Sequence, residues 1–294
     1  MLYANVTAAD EQTAFKSADD AVAALVQALQ KNDMKQLRDI LGPGSEDIFS
    51  SGDAVADANG RAEFLALYQA KHSLVDDGAH TKDLQIGDND WPMPVPIVER
   101  NGKWYLDGAA GVDEIVYRRV GRNELGAIAV CRGFIDAQLD YADEGHDGKP
   151  SGLFADKLRS DPGLHNGLYW PSAEGEPQSP GGEAVARAAA EGYRAITGKR
   201  SPYHGYYYRM LFGQGSAAKG GAADYYVDGQ LAQGIALLAW PAEYGVSGVM
   251  SFIVNHNGDV FQKDMGDDTA KVADSINLFN PDNSWKLVPP DEDE

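Results

Sequence analysis

Apolar positions recur along the first hundred residues with two different periods. Val22, Leu25, Val26 and Leu29 return every three or four residues, the spacing of one helix face. Ser17 stands before them as an N-cap, and Asp19 and Asp20 fall in the first turn, where carboxylates oppose the positive end of the helix dipole. Asp33 can cap a second short helix carrying Met34, Leu37, Ile40 and Leu41, stopped by Gly42-Pro43-Gly44. Asn59 precedes a third amphipathic stretch with Phe64, Leu65, Leu67 and Tyr68. From His80 the pattern shortens to strand-like runs: Leu84 and Ile86, then Val95, Ile97 and Val98, then Trp104 and Leu106 after Asn101-Gly102, a strong hairpin signal. Helices followed by an antiparallel hairpin predict an α+β domain over residues 15–110, behind a disordered segment 1–14.

The second part opens with the longest helical pattern of the chain, Val112 to Tyr141, with apolar residues on most turns of one side and Arg118, Arg119, Arg122 and Arg132 between them. Thirty residues of helix reach about 45 Å, enough to link two domains and pack along a sheet. Gly145 to Pro180 reads as a Gly- and Pro-rich connection holding a short helix at Phe154 to Leu158. A helix is expected at Glu183 to Thr197, and strands at Tyr206 to Phe212, Ile235 to Trp240, Ser251 to Asn255 and Asp259 to Lys263, the last two joined by the Asn257-Gly258 turn. Thr269 to Phe279 suggests a final helical piece. The expected second domain is a helix on an antiparallel sheet over 111–288, followed by an acidic tail, 289–294.

Composition narrows the function classes. Of 294 residues, 25 are Lys or Arg and 45 are Asp or Glu, a net charge of −20 that opposes binding to nucleic acid and to anionic lipid while steering basic proteins or cationic ligands inward. Cys131 is the single cysteine, so neither an internal disulfide nor a cysteine zinc site can form within one chain. No run approaches the ~20 apolar residues that span a bilayer.

Chemical motifs miss on spacing. Gly192 to Arg200 places five residues between its glycines where a phosphate loop has four; Gly213-Gln214-Gly215 follows a strand without opening a helix; Gly245-Val246-Ser247-Gly248 lacks the last glycine of a nucleophile elbow. Asp57 to Gly60 and Asp143 to Gly148 resemble parts of a calcium loop without its closing carboxylate. The six histidines show no metal spacing, so no metal and no cofactor are expected. His204, Asp228 and His256 are the remaining catalytic candidates, because both histidines sit at strand ends of one domain with an aspartate available to join them. Tyr68, Trp91 and Trp104 are the candidate lining of a ligand pocket in the first domain.

The stretch Glu124 to Tyr141, the run Gly205-Tyr206-Tyr207-Tyr208-Arg209-Met210-Leu211, Ala239-Trp240-Pro241, Tyr244 to Phe252 and Asn257 to Val260 resemble the soluble part of type IV pilin-like and pseudopilin proteins. The same run together with Trp285 makes the chain, from Phe15 to Val288, similar to the bacterial family DUF2950, whose members are mostly exported. The first domain resembles the NTF2-like or cystatin-like α+β class. True pilins need an apolar N-terminal helix where this chain has an amphipathic, Arg-bearing one after a complete domain, so fibre assembly is not expected. The resemblance implies a non-enzymatic, periplasmic or secreted binding protein whose signal peptide is already removed, with a protein or small-molecule partner in the envelope. The alternatives are a hydrolase using His204, Asp228 and His256, or ligand capture in the first domain's pocket.

Overall fold

The computed structural model describes residues 12–173, 175, 176, 178–193 and 200–289. Residues 1–11 of the expected segment 1–14, residues 290–294 of the expected tail 289–294 and the end of the Glu183 to Thr197 helix lie outside them, as does most of the Gly192 to Arg200 motif. The chain is an α+β protein of two compact units, Met1–Arg119 and Val120–Glu294.

In unit 1, helix α1 (Ala18–Lys31) starts at Ser17, whose hydroxyl accepts from the Asp20 N–H at 3.0 Å. Helix α2 (Met34–Leu41) starts at Asp33, which accepts from Gln36, and ends at Gly42, where φ is +84°. A short α3 (Glu46–Phe49) follows, and then α4 (Ala54–Ala70). The third amphipathic helix therefore begins five residues before Asn59. Its cap is Asp53, whose carboxylate accepts from Val55 and Ala56 at 3.1 Å, and Asn59-Gly60 is absorbed into the helix. Asp57, read as part of a calcium-like turn, instead accepts from the Ser51 N–H and hydroxyl.

Strands β1 (His72–Asp76), β2 (Thr81–Ile86), β3 (Trp91–Pro92), β4 (Ile97–Arg100) and β5 (Lys103–Leu106) form one antiparallel sheet in the order β1-β2-β4-β5, with β3 on β2. Asn101 and Gly102 both take positive φ, 54° and 71°, which a tight two-residue hairpin turn demands. Val22, Leu25, Leu37 and Ile40 close over Leu84, Ile86, Ile97 and Leu106 as one core.

Helix α5 (Gly108–Asp143, 36 residues) crosses the division of the chain: its residues to Arg119 belong to unit 1 and those from Val120 to unit 2. Gly108 and Gly111 let its first turns approach backbone closely, since a Cβ on either would strike the Leu41 carbonyl or Val95.

Unit 2 continues with α6 (Gly182–Ala190), β6 (Tyr206–Leu211), β7 (Gly213–Gln214), β8 (Ala223–Asp224), β9 (Tyr226–Val227), β10 (Gln230–Leu231), β11 (Ala236–Pro241), β12 (Met250–Asn255), β13 (Val260–Asp264), α7 (Thr269–Ser275) and β14 (Lys286–Leu287). The main sheet is antiparallel in the order β14-β13-β12-β11-β6, with small hairpins β7-β8 and β9-β10 beside it. Pro241 stands opposite Tyr206, and Tyr206 exchanges its main-chain bonds with Tyr203 instead, so the missing proline N–H leaves no donor gap. Ala127, Cys131 and Ile135 of α5 join Tyr206, Leu238, Phe252 and Val254 in the core.

Two contacts dock the unit 2 part of α5 on its sheet. The Glu124 carboxylate accepts from the N–H groups of Val249 and Met250, both at 2.9 Å, and the Asn123 amide donates to the Ser247 carbonyl. Ser247 is fully buried and its hydroxyl is bonded to the Glu243 main chain, which makes it a turn residue. On Trp240, buried in the sheet, the guanidinium groups of Arg200 and Arg209 lie 5.2 and 5.6 Å from the ring centroid. Asp274 pairs with Arg200 at 2.8 Å. The segment Phe154 to Leu158, expected as a helix, is irregular. The fully buried Gln138 of α5 explains this: its amide donates to the Ala155 carbonyl and accepts from the Ala155 N–H, both at 2.9 Å, so that backbone is satisfied from outside.

Candidate functional site

The residues expected to line a pocket in unit 1 hold separate posts. The Tyr68 ring stacks on His72 at 3.9 Å, and the Trp91 ring is partly exposed beneath the Arg118 guanidinium, 5.4 Å from its centroid. Trp104 packs against the unit 1 core and exchanges main-chain bonds with Phe15 at 2.9 and 3.0 Å. None of the three lines the cleft or the groove described below.

Of the catalytic candidates, His204 pairs through Nε2 with Glu191 at 2.7 Å, and its ring lies against Tyr193 and Tyr203. Its φ is +51°, an uncommon left-handed conformation. Asp228 sits in the tight turn between β9 and β10, also at positive φ. His256, just beyond β12, is packed against Tyr225, Phe154 and Gly234, with its Nδ1 buried and unpartnered. Burial lowers its pKa, opposed by a hydrogen bond to the Ile235 main chain. No hydrogen bond among the described residues joins any two of His204, Asp228 and His256. Glu191 is the partner the sequence did not suggest, since only the end of α6 brings it to His204.

The described residues of unit 2 form a groove and a cleft. A groove of about 760 Å³ follows β6 and the β7-β8 hairpin, lined by Met210, Phe212, Ala223 and Leu278. Its one cation, Arg209, is already committed: one guanidinium nitrogen donates to the Ala273 and Ile276 carbonyls at the end of α7.

The second hollow, a cleft of about 90 Å³, lies where the end of α5 and the connection after it meet the β9-β10 hairpin. Its walls carry Tyr141, His146, Phe154 and Tyr226 as rings, Glu144 and Asp156 as carboxylates, and Lys149 and Lys157 as cations. The connection keeps its shape through side chains. Tyr141 donates its hydroxyl proton to the His165 carbonyl at 2.9 Å, and His146 bonds the Tyr141 carbonyl and stacks on its ring at 4.1 Å. Asp147, from the second calcium-like turn, accepts from the His165 N–H. His165 in turn stacks on Trp170 at 4.3 Å, and the Phe154 N–H donates to the Leu231 carbonyl of β10.

The cleft's charges are unevenly committed. Lys157 pairs with Asp161 at 2.8 Å. Asp156 lies 3.5 Å from the Tyr226 hydroxyl, and Glu144 has no hydrogen bond or ion pair among the described residues. Burial, then Asp147 and Asp156, push the Tyr141 phenol above its ordinary pKa. Burial, then Asp156, do the same to Tyr226. At Tyr226 the Lys157 ammonium acts in the opposite sense to Asp156. Among the described residues no group of three or more His, Cys, Asp or Glu side chains is placed to hold a metal ion. Nor is any described helix long and apolar enough to cross a membrane.

A family model described as a protein of unknown function, DUF2950, matches residues 12–288. The chain belongs to the DUF2950 family. No curated protein and no solved structure matches this DUF2950 chain. The match takes in both compact units, so the cleft, the Glu191–His204 pair and the unit 1 aromatics all fall within the family's extent. Sequence reasoning passed over the cleft because its parts come from three stretches, 141–157, residue 166 and 226–231, that only the folded chain assembles. The available signal was the long Gly- and Pro-rich connection itself, since extended loops without secondary structure are commonly functional.

Proposed function

We propose that this DUF2950 protein is a non-enzymatic binding protein of the cell envelope, exported from the cytoplasm, and that it takes its ligand in the unit 2 cleft. One observation carries the reading: the irregular connection that follows α5 is held by side-chain bonds into the wall of a concave, ring-lined cleft. Rigid walls lower the ordering penalty of capture, which is what a binding site needs. The separate settings of His204, Asp228 and His256 favour binding over the hydrolase alternative, because acid–base catalysis requires such groups within hydrogen-bond reach. A net charge of −20 favours basic or cationic partners at a distance.

The test is a two-part experiment. Backbone amide NMR of the full chain against a panel of small metabolites should give saturable shifts gathered on the cleft residues, and Phe154→Ala should abolish them. A ligand lost on Trp104→Ala and indifferent to Phe154→Ala would move the site to unit 1. Fractionation of native cells expressing the full reading frame should recover the protein from the periplasm or medium; recovery in the cytosol alone overturns the envelope assignment.

A further inference from the structure

The unit 2 part of helix α5 has two faces of opposite character. Ala127, Cys131 and Ile135 are buried on the side that packs into the core, while Arg122, Leu125, Ala129, Gly133, Asp136 and Asp140 are exposed on the other. The exposed residues recur at spacings of three and four, so they form one strip over about five turns. Leu125 is 70% exposed, and a Cβ on Gly133 would meet nothing within 4 Å, so the strip is open where its apolar centre lies. Among the described residues, the side chains of Arg122, Asp136 and Asp140 make no ion pair or hydrogen bond. Arg132, beside the strip, is already bonded to the Pro289 carbonyl.

Read from Ala129 outward, the strip is complementary to itself. Arg122 and Asp136 each stand seven residues from Ala129, and Leu125 and Gly133 each stand four. Within one chain Arg122 and Asp136 are about 21 Å apart along the helix, too far to pair. An antiparallel second copy, related by a two-fold axis at Ala129, brings each Arg122 to the partner's Asp136. The same axis sets each Leu125 over the partner's Gly133, where the missing side chain leaves a hole. Small residues at the centre let the helix axes approach to about 8 Å, the close end of helix packing. A basic segment of another protein would meet Asp136 and Asp140 but would face Arg122 with like charge, whereas this chain itself carries the charge order that matches both ends. The net charge of −20 opposes self-association at long range, but salt screens it beyond about 8 Å at physiological ionic strength, while the pairs act in contact.

We infer that the exposed face of α5 is a homodimer interface, in which two copies pack this helix antiparallel about Ala129. A single helix pair stays at the low end of specific interfaces, about 1,200 Å² or less, so the dimer is weak and depends on concentration.

Sedimentation velocity on the full chain, over a concentration series in about 0.15 M salt, tests this. The parent should move from monomer toward dimer as concentration rises. Arg122→Glu sets a glutamate against Asp136 at both ends of the dimer, and Asp136→Arg sets two arginines together there, so each should weaken association about tenfold or more. Mixing the two variants puts opposite charges at both ends again, so the mixture should dimerise like the parent, as should the Arg122→Glu/Asp136→Arg double variant. Leu125→Gln should weaken the dimer as well. All three positions are exposed, so melts of the variants in dilute solution should match the parent. A parent that stays monomeric at every concentration overturns the inference. A dimer indifferent to the single reversals overturns it too, because association then uses another surface. So does a failure of both the mixture and the double variant to recover, because the pairing is then not Arg122 with Asp136.

Discussion

Replacing Gln138 with leucine removes the single side chain that holds the Ala155 backbone. Gln138 is fully buried, Ala155 is only 1% exposed, and the two share a pair of 2.9 Å hydrogen bonds. Leucine keeps the volume but leaves one N–H and one carbonyl of Ala155 buried without a partner, and each such group costs about 1–3 kcal/mol. Part of this returns as apolar burial of the leucine, so unit 2 should lose about 2–4 kcal/mol. With a urea m-value of about 2 kcal/mol/M, the midpoint of its transition falls by about 1–2 M. Gln138→Glu should be worse at neutral pH, because a carboxylate can accept from the Ala155 N–H but faces the carbonyl with another acceptor. Urea denaturation followed by circular dichroism gives the midpoint, and hydrogen exchange read by mass spectrometry gives the local effect. Protection of the Ala155 amide should fall well beyond the global change, and ligand affinity at the cleft should fall with it. A midpoint shift under about 0.3 M, with unchanged exchange at Ala155, would refute the assignment of Gln138 as the latch.

Three further outcomes follow from other buried groups. Cys131 is fully buried and its thiol is pushed up to about 12, so iodoacetamide at pH 8 should leave the native protein unmodified and add one adduct after denaturation, as read by intact mass. A Cβ on Gly248 would run into the Tyr206 hydroxyl and ring, so Gly248→Ala should destabilise unit 2 by about 2–3 kcal/mol, whereas Gly133→Ala, on an open face of α5, should be neutral or stabilise by about 0.5–1 kcal/mol; thermal melts of the pair decide. His256 is held below the usual 6.5 of an imidazole, so the unfolded chain takes up the proton first: the stability it supports is present above pH 6.5 and is lost as pH falls from 6.5 through the lowered native value. Melting temperatures from pH 7 to 5 should therefore fall more steeply for the parent than for His256→Gln, and parallel curves would refute this.

What the sequence disclosed and what it hid divide along physical lines. Local chemistry was legible: Ser17 and Asp33 cap because their oxygens reach N–H groups three residues on, and the chain turns at Asn101-Gly102 and at Gly258 because those residues take positive φ. The long helix was legible because its apolar stripe persists from Val112 to Tyr141, about eight turns. The start of α4 was missed because Asn59-Gly60 reads as a break, while the Asp53 cap and the packing of Phe64, Leu65 and Tyr68 outweigh the ~1 kcal/mol that a helical glycine costs. Phe154 to Leu158 has helical spacing, yet an interaction from Gln138, 17 residues upstream, decides its backbone. The same non-local origin hid the cleft: Glu144, Asp156 and Tyr226 carry no motif among themselves and meet only through the fold.

The energetics of the connection after α5 bear on why it is built as it is. Fixing each residue costs about 1–2 kcal/mol of backbone entropy, and the small cluster of Tyr141, Ala155 and Leu168, with Trp170 against it, buries little apolar area to offset that over so long a segment. The remaining bonds, from Tyr141 to His165, His146 to Tyr141, Asp147 to His165 and Gln138 to Ala155, exchange water for protein partners at a net gain of only about 1 kcal/mol each. Their stronger effect is on shape, since each has directional geometry and several lie at the cleft's rim. A shorter link would join α5 to α6 with less ordering. The longer one supplies a fixed wall that presents Phe154 and Asp156 opposite Tyr226, so a ligand entering there meets surfaces already in place and its binding energy is not consumed in arranging them.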